Sequence, residues 1–225
     1  MISAVLVHGL YHQPAHFTAL ATLLRARGVT VAVPALHRGS LAADTRAVQA
    51  VVDTLPTPPL ALGHSYGGSV ITGLTGVTGL VYLAAFVPDE GESAASLGGA
   101  TADLRAAVLP AENGGTRIDP HLAPALFYGD CTPAVAIHAA AQLRAQAPGC
   151  GRGVPDRQAW RHVPSTYVVC TRDRAIDPAV QRAMADRCTT ALDWPTSHSP
   201  YLSRPADLAA LIAPEGDTWP SSSTR

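Results

Sequence analysis

Lysine is missing altogether. All 16 basic residues in the 225 are arginine, which removes Schiff-base chemistry, a P-loop ammonium and any catalytic amine. Charge of either sign is sparse, at 15% of residues with a formal net charge of −1. That leaves no basic face for nucleic acid and no polybasic stretch for an anionic membrane surface. The four cysteines, Cys131, Cys150, Cys170 and Cys188, lack C-x-x-C spacing and are too thinly spread to staple a secreted domain. A Cys131–Cys150 bridge is left open, against the missing export signals. No apolar run approaches the ~18 uncharged residues of a membrane span. The opening M-I-S-A-V-L-V-H-G has no basic n-region and too short an apolar run for a signal peptide. These absences predict a cytoplasmic protein that uses neither nucleic acid nor membrane.

Hydrophobic residues are plentiful, at 47%, enough for the core of one α/β domain. Short apolar runs at 2–7, 29–33, 59–62, 79–85, 166–170 and 189–193 read as strands, mostly without in/out alternation, as parallel strands covered on both faces do. Between them, Phe17, Leu20, Leu23 and Leu24 recur at helical spacing before Gly28, a C-cap. Further helices are expected at 41–55 behind an N-cap at Ser40, and at 68–75, 178–187 and 205–212. The alternation predicts a doubly wound, mostly parallel sheet of about six strands with right-handed crossovers. Residues 88–164 break the rhythm with no strand candidate and helical stretches near 101–109 and 133–146. So long a segment is better read as an inserted helical cap than as loop. The expected organisation is a core from 1–87 and 165–213, a cap from 88–164, and a loose polar tail from 214–225.

Residues 63–67 read G-H-S-Y-G, a G-x-S-x-G after a strand and before a helix, the context that makes Ser65 a nucleophile candidate. A turn this sharp strains the serine backbone, and the glycines let neighbouring chain pass closely. The helix N-terminus beneath favours negative charge. The bland reading is a tight turn of small residues. A serine hydroxyl needs a base oriented by an acid, in the order Ser, Asp or Glu, His. Of the nine histidines, His198 follows the last strand, where a loop reaches back. His121, His138 and His162 fall in the cap, His37 comes too early, and His64 should point away from the hydroxyl. For the acid, Asp177 precedes Pro178 and is explained as a helix N-cap. Asp193, five residues before His198, suits a turn. Asp173 is unclaimed by structure and is preferred. Oxyanion donors are expected at the N–H groups of Tyr66 and Leu10, with Gly9 allowing close approach. Gly9, Tyr11, His12, Phe86, Leu126 and Phe127 are expected around the substrate, although Phe86 equally suits the core. His8, His12 and His16 are spaced as if for zinc, but Gly9 and Pro14 interrupt any helix there. G-C-G-R-G at 149–153 follows no strand and is no dinucleotide loop. Neither metal nor cofactor is expected.

The chain resembles the α/β-hydrolase superfamily, and within it the small-esterase and hydroxynitrile-lyase branch that includes plant methyl esterases and bacterial EstC-like esterases. The resemblance rests on L-V-H-G-x-x-H, G-H-S-Y-G-G, V-Y-L-A-A-F-V-P-D-E-G-E-S, T-R-D-R-A-I-x-P-x-x-Q and S-H-S-P-Y-L-S-R-P, which span nearly the whole length. It implies a triad at Ser65, Asp173 and His198 and oxyanion donors at Leu10 and Tyr66. Gly9 stands where the lyases carry Thr or Asn, and Ser199 where one lyase class carries lysine, so hydrolysis of a small apolar ester, thioester or lactone is favoured over cyanohydrin cleavage. The alternative is a ligand sensor or a biosynthetic enzyme (a cyclase or lactonase) on the same scaffold. A homodimer is compatible with either.

Overall fold

The computed structural model describes residues 2–36 and 38–214; Met1, His37 and the tail from 215 lie outside the described residues. The elements follow as β1 (Ser3–Val7), α1 (Thr18–Ala26), β2 (Thr30–Ala32), α2 (Leu41–Val52), β3 (Leu60–His64), α3 (Gly67–Thr72) and β4 (Gly79–Leu83). Then come α4 (Ala94–Leu97), α5 (Ala102–Ala107), β5 (Val108–Pro110), β6 (Thr116–Ile118), α6 (Ala123–Phe127) and α7 (Pro133–Ala141). The chain closes with β7 (Ser165–Cys170), α8 (Pro178–Ala185), β8 (Thr190–Trp194), α9 (Pro200–Ser203) and α10 (Pro205–Ile212).

Six strands form one parallel sheet in the order β2-β1-β3-β4-β7-β8. Successive side chains of a strand point to opposite faces, and here both faces are covered. Val5, Val7, Ala61, Tyr82 and Val169 pack with α2, α3 and α8 on one side. Ala4, Leu6, Leu62, Leu83 and Val168 pack with α1 and α10 on the other. Two apolar faces explain why the runs read as continuous rather than alternating. Local chemistry sets the helix ends: Ser40 Oγ accepts the Ala43 N–H at 3.2 Å, and Gly28, at φ +78°, ends α1. The chain leaves β1 toward β2 on one side and returns as β3 on the other. The loops after β1 and β3 therefore lie side by side at the switch point, where such sheets hold ligands.

The stretch between β4 and β7 differs from the expectation of helices alone. β5 and β6 pair antiparallel, Val108 opposite Ile118 and Pro110 opposite Thr116. Asn113 (φ +55°) and Gly114 (φ +73°) turn the chain between them, an Asn-Gly turn signal that strands of three residues each are too short to support by pattern. The expected helix over 133–146 stops at Ala141, and Gln146 instead exchanges backbone bonds with Thr116 at 2.7 and 3.1 Å. Asp193 lies inside β8 and pairs with Arg182 at 2.8 Å, so it is a strand residue and not a turn former. Cys131 and Cys150 are both free thiols.

Candidate active site

Of residues 59–72, only Ser65 is not fully buried. Its φ of +55° turns β3 directly into α3 and is a costly conformation for a residue with a Cβ. The surrounding glycines make room for the turn. A Cβ on Gly67 would lie 2.3 Å from the Val7 carbonyl oxygen, one on Gly68 2.3 Å from that of Phe86, and one on Gly63 2.6 Å from that of Gly67. Each clash would be with a backbone oxygen and cannot be relieved by rotating a side chain. Gly67→Ala is therefore expected to destabilise the fold by about 3 kcal/mol or more, read as a lower urea midpoint; an unchanged midpoint would contradict the packing described.

Asp173 lies past the end of β7 and His198 past the end of β8, and the two meet. Asp173 Oδ2 is 2.7 Å from His198 Nδ1, both side chains being buried. The carboxylate also accepts the Ala175 and Ile176 N–H groups at 2.7 and 3.1 Å and the Gln181 side-chain N–H at 2.8 Å. A carboxylate accepts only, so His198 donates from Nδ1 and presents Nε2 as an acceptor. Asp177 caps α8 through the Ala179 N–H at 2.8 Å. Gln181 had no assigned role, although it ends the run beginning at Thr171 quoted above.

Two peptide planes of the loops after β1 and β3 are held through their carbonyl oxygens. In a trans peptide, C=O and the following N–H point oppositely. His8 Nδ1–H donates to the Gly9 carbonyl at 2.9 Å, while His8 Nε2 accepts the Leu36 N–H at 3.2 Å; this fixes the peptide that carries the Leu10 N–H. The Ser65 carbonyl accepts from Gly68 and Phe86 N–H at 3.0 and 3.1 Å, fixing the peptide that carries the Tyr66 N–H.

Behind the loop ends lies a group of buried imidazoles. His64 Nε2–H donates to the His198 carbonyl at 3.0 Å, and the two rings are 4.5 Å apart. His64 thus supports the backbone of His198. His12 Nδ1–H donates to the Leu10 carbonyl at 2.9 Å, and its Nε2 accepts the Tyr128 hydroxyl at 3.0 Å. Burial, reinforced by neighbouring imidazoles, holds His12 and His64 well below the ordinary histidine value, and burial lowers His16 as well. Such groups bind fewer protons folded than unfolded, so stability falls as pH drops below the ordinary histidine value of about 6.5, by on the order of 1 kcal/mol per pH unit for each ring. Urea midpoints are expected to be clearly lower at about pH 5.5 than at about pH 7.5; equal midpoints would mean that the rings are not held neutral. Among the described residues no group of three or more His, Cys, Asp or Glu side chains could hold a metal ion, and His8, His12 and His16 each bind backbone carbonyls.

Ser65 and His198 open onto one cavity of about 280 Å³. Leu10, Tyr11, Phe86 and Phe127 line it, as do Ala94, Ala95, Gly98, Ala100, Leu104, Gly151, Ala175 and Ile176. Three expected substrate contacts do not. Leu126 packs into the cluster formed with α5 and α7, because the helix turn that faces Phe127 to the cavity faces its neighbour away. Gly9 lies behind Ser65, where a Cβ would sit 2.8 Å from the Ser65 Cβ. His12 is spent on Leu10 and Tyr128. The small residues on the wall carry no chemical signal in sequence.

A sheet with a strained serine elbow at its switch point and a carboxylate-backed histidine beside it defines a class of hydrolytic enzymes. The sequence profile of the alpha/beta hydrolase family matches residues 4–211, and the chain belongs to that family. It is 25% identical to alpha/beta hydrolase nvfD of Aspergillus novofumigatus, over 92% of this chain and 94% of that one. It is 28% identical to a pyrethroid hydrolase of Sphingobium wenxiniae, over 95% of this chain and 87% of the relative. The crystal structure of a pyrethroid hydrolase with 26% identity superposes with a TM-score of 0.80, covering 94% of this chain and 96% of the other. These likenesses place the chain in the esterase branch of the family. No helix among the described residues is long and apolar enough to cross a membrane.

Proposed function

We propose that this chain is a serine esterase for small neutral esters, working through an acyl-enzyme on Ser65. One observation carries the reading: Ser65, on a strained elbow, shares a cavity wall with a histidine whose far nitrogen is 2.7 Å from a buried carboxylate. His198 Nε2 takes the Ser65 proton as Oγ attacks the carbonyl carbon, and Asp173 stabilises the imidazolium that forms. The Leu10 and Tyr66 N–H groups hold the oxyanion, each donor being worth on the order of 3 kcal/mol of barrier. Collapse expels the alcohol, which leaves with the proton from His198. Water, deprotonated by the same nitrogen, then releases the acid. Ser65 Oγ has no hydrogen-bond partner among the described residues, in keeping with apo sites whose catalytic bonds tighten only around substrate.

The cavity lining includes no arginine, aspartate or glutamate, which favours an uncharged ester with apolar groups. Its volume sits at the lower end of ligand pockets, which favours a compact one. Residues 88–164 act as the cap, supplying Ala94, Ala95, Gly98, Ala100, Leu104, Phe127 and Gly151 to the wall. Pyrethroid hydrolase and a carbendazim hydrolyzing esterase among its relatives support ester cleavage. The test combines a panel of esters graded in acyl and alcohol size with fluorophosphonate labelling of Ser65. Turnover of the short uncharged members together with labelling is expected. Labelling without turnover of any ester would overturn the reading in favour of a ligand sensor.

A further inference from the structure

Asp44 is a buried carboxylate that the reaction does not use. It sits in the first turn of α2 and is 0% exposed. Among the described residues no cationic side chain is within ion-pair distance of it. A helix N-terminus favours an acid, but that benefit is open to an exposed one and does not call for burial, which costs a charge several kcal/mol. What Asp44 gains by being inside is the Tyr66 hydroxyl, which donates to Oδ2 at 2.9 Å, while Oδ1 accepts the Arg38 N–H at 3.1 Å. Burial and the adjacent carboxylate push the Tyr66 phenol far up, so it remains a donor. The Cys150 thiol stands beside the same hydroxyl and carboxylate, 2% exposed. Its neighbour Gly151 lines the cavity. One hydrogen bond therefore ties the tyrosine after the nucleophile to α2, and the thiol beside that bond belongs to a segment that lines the pocket.

We propose that Asp44 is a positioning residue for the oxyanion amide of the elbow: by holding the Tyr66 hydroxyl it fixes Tyr66, and so the direction of the Tyr66 N–H. The proposal rests on the esterase reading above. An oxyanion donor acts on charge that develops in the transition state, so loosening it lowers kcat and spares KM.

Tyr66→Phe alone strands a buried carboxylate and risks unfolding. The paired variant Asp44→Leu/Tyr66→Phe removes both partners of that hydrogen bond and leaves only the N–H of the exposed Arg38 to be met by water, a change that is close to neutral for stability. It is expected to unfold cooperatively near the wild-type temperature and to turn over a short uncharged ester with kcat roughly tenfold lower and KM within about twofold. A folded paired variant with wild-type kcat, while Ser65→Ala abolishes turnover, overturns this proposal alone. Turnover that survives Ser65→Ala overturns the esterase reading, and this proposal with it.

Discussion

Ser65→Ala is expected to reduce turnover of a short activated ester by at least about 10⁴-fold and to abolish fluorophosphonate labelling, with the melting temperature nearly unchanged. The size of the kinetic effect follows from losing the covalent route itself, since water attacking directly must do without the oriented alkoxide. The absence of a stability effect follows from the structure. The Ser65 hydroxyl gives up no hydrogen bond among the described residues, and alanine is no worse suited than serine to a φ of +55°. The backbone bonds that hold the elbow, from Ser65 N–H to the Leu83 carbonyl at 3.2 Å and from Phe86 N–H to the Ser65 carbonyl at 3.1 Å, involve no side chain at this position. A variant retaining more than a tenth of the activity would remove Ser65 from the chemistry.

Asp173→Asn is expected to lower kcat by about 10⁴-fold while KM changes little. Two backbone N–H groups, from Ala175 and Ile176, point at Oδ1, so the asparagine oxygen is drawn there and its NH₂ is turned toward His198 and Gln181. A donor facing Nδ1 forces the histidine proton onto Nε2, the nitrogen that must accept from Ser65. Asp177→Asn is the paired control for the two acids separated by only four positions. It keeps an N-cap acceptor, and its expected result is unchanged kcat with a stability change below about 1 kcal/mol. Should Asp177→Asn be the variant that loses activity, the acid would have been assigned to the wrong residue.

The fold was legible because its signals are local. Apolar runs without alternation require a sheet covered on both faces, and Ser40 and Gly28 mark helix ends through bonds to their nearest neighbours. The hairpin of β5 and β6 escaped because three-residue strands show no period; only Asn113-Gly114 announced it. At the site, residues with distinctive chemistry could be told apart by local context: Pro178 after Asp177 accounts for that acid as a helix N-cap, which is how Asp173 came to be preferred. Gln181 had no such handle, being one polar residue on an amphipathic helix until α8 brings it to the Asp173 carboxylate.

Sequence alone determined the parallel sheet and the elbow at its switch point, because backbone conformation and burial pattern are set within a few residues. Tertiary packing alone decided that His64 supports the His198 carbonyl, that Leu126 faces inward while Phe127 meets the cavity, and that Asp44 lies behind Tyr66. It also built the cavity wall from alanines and glycines far apart in the chain. A methyl group or a hydrogen acquires meaning only from what it is packed beside, and that is fixed by contacts across the whole fold.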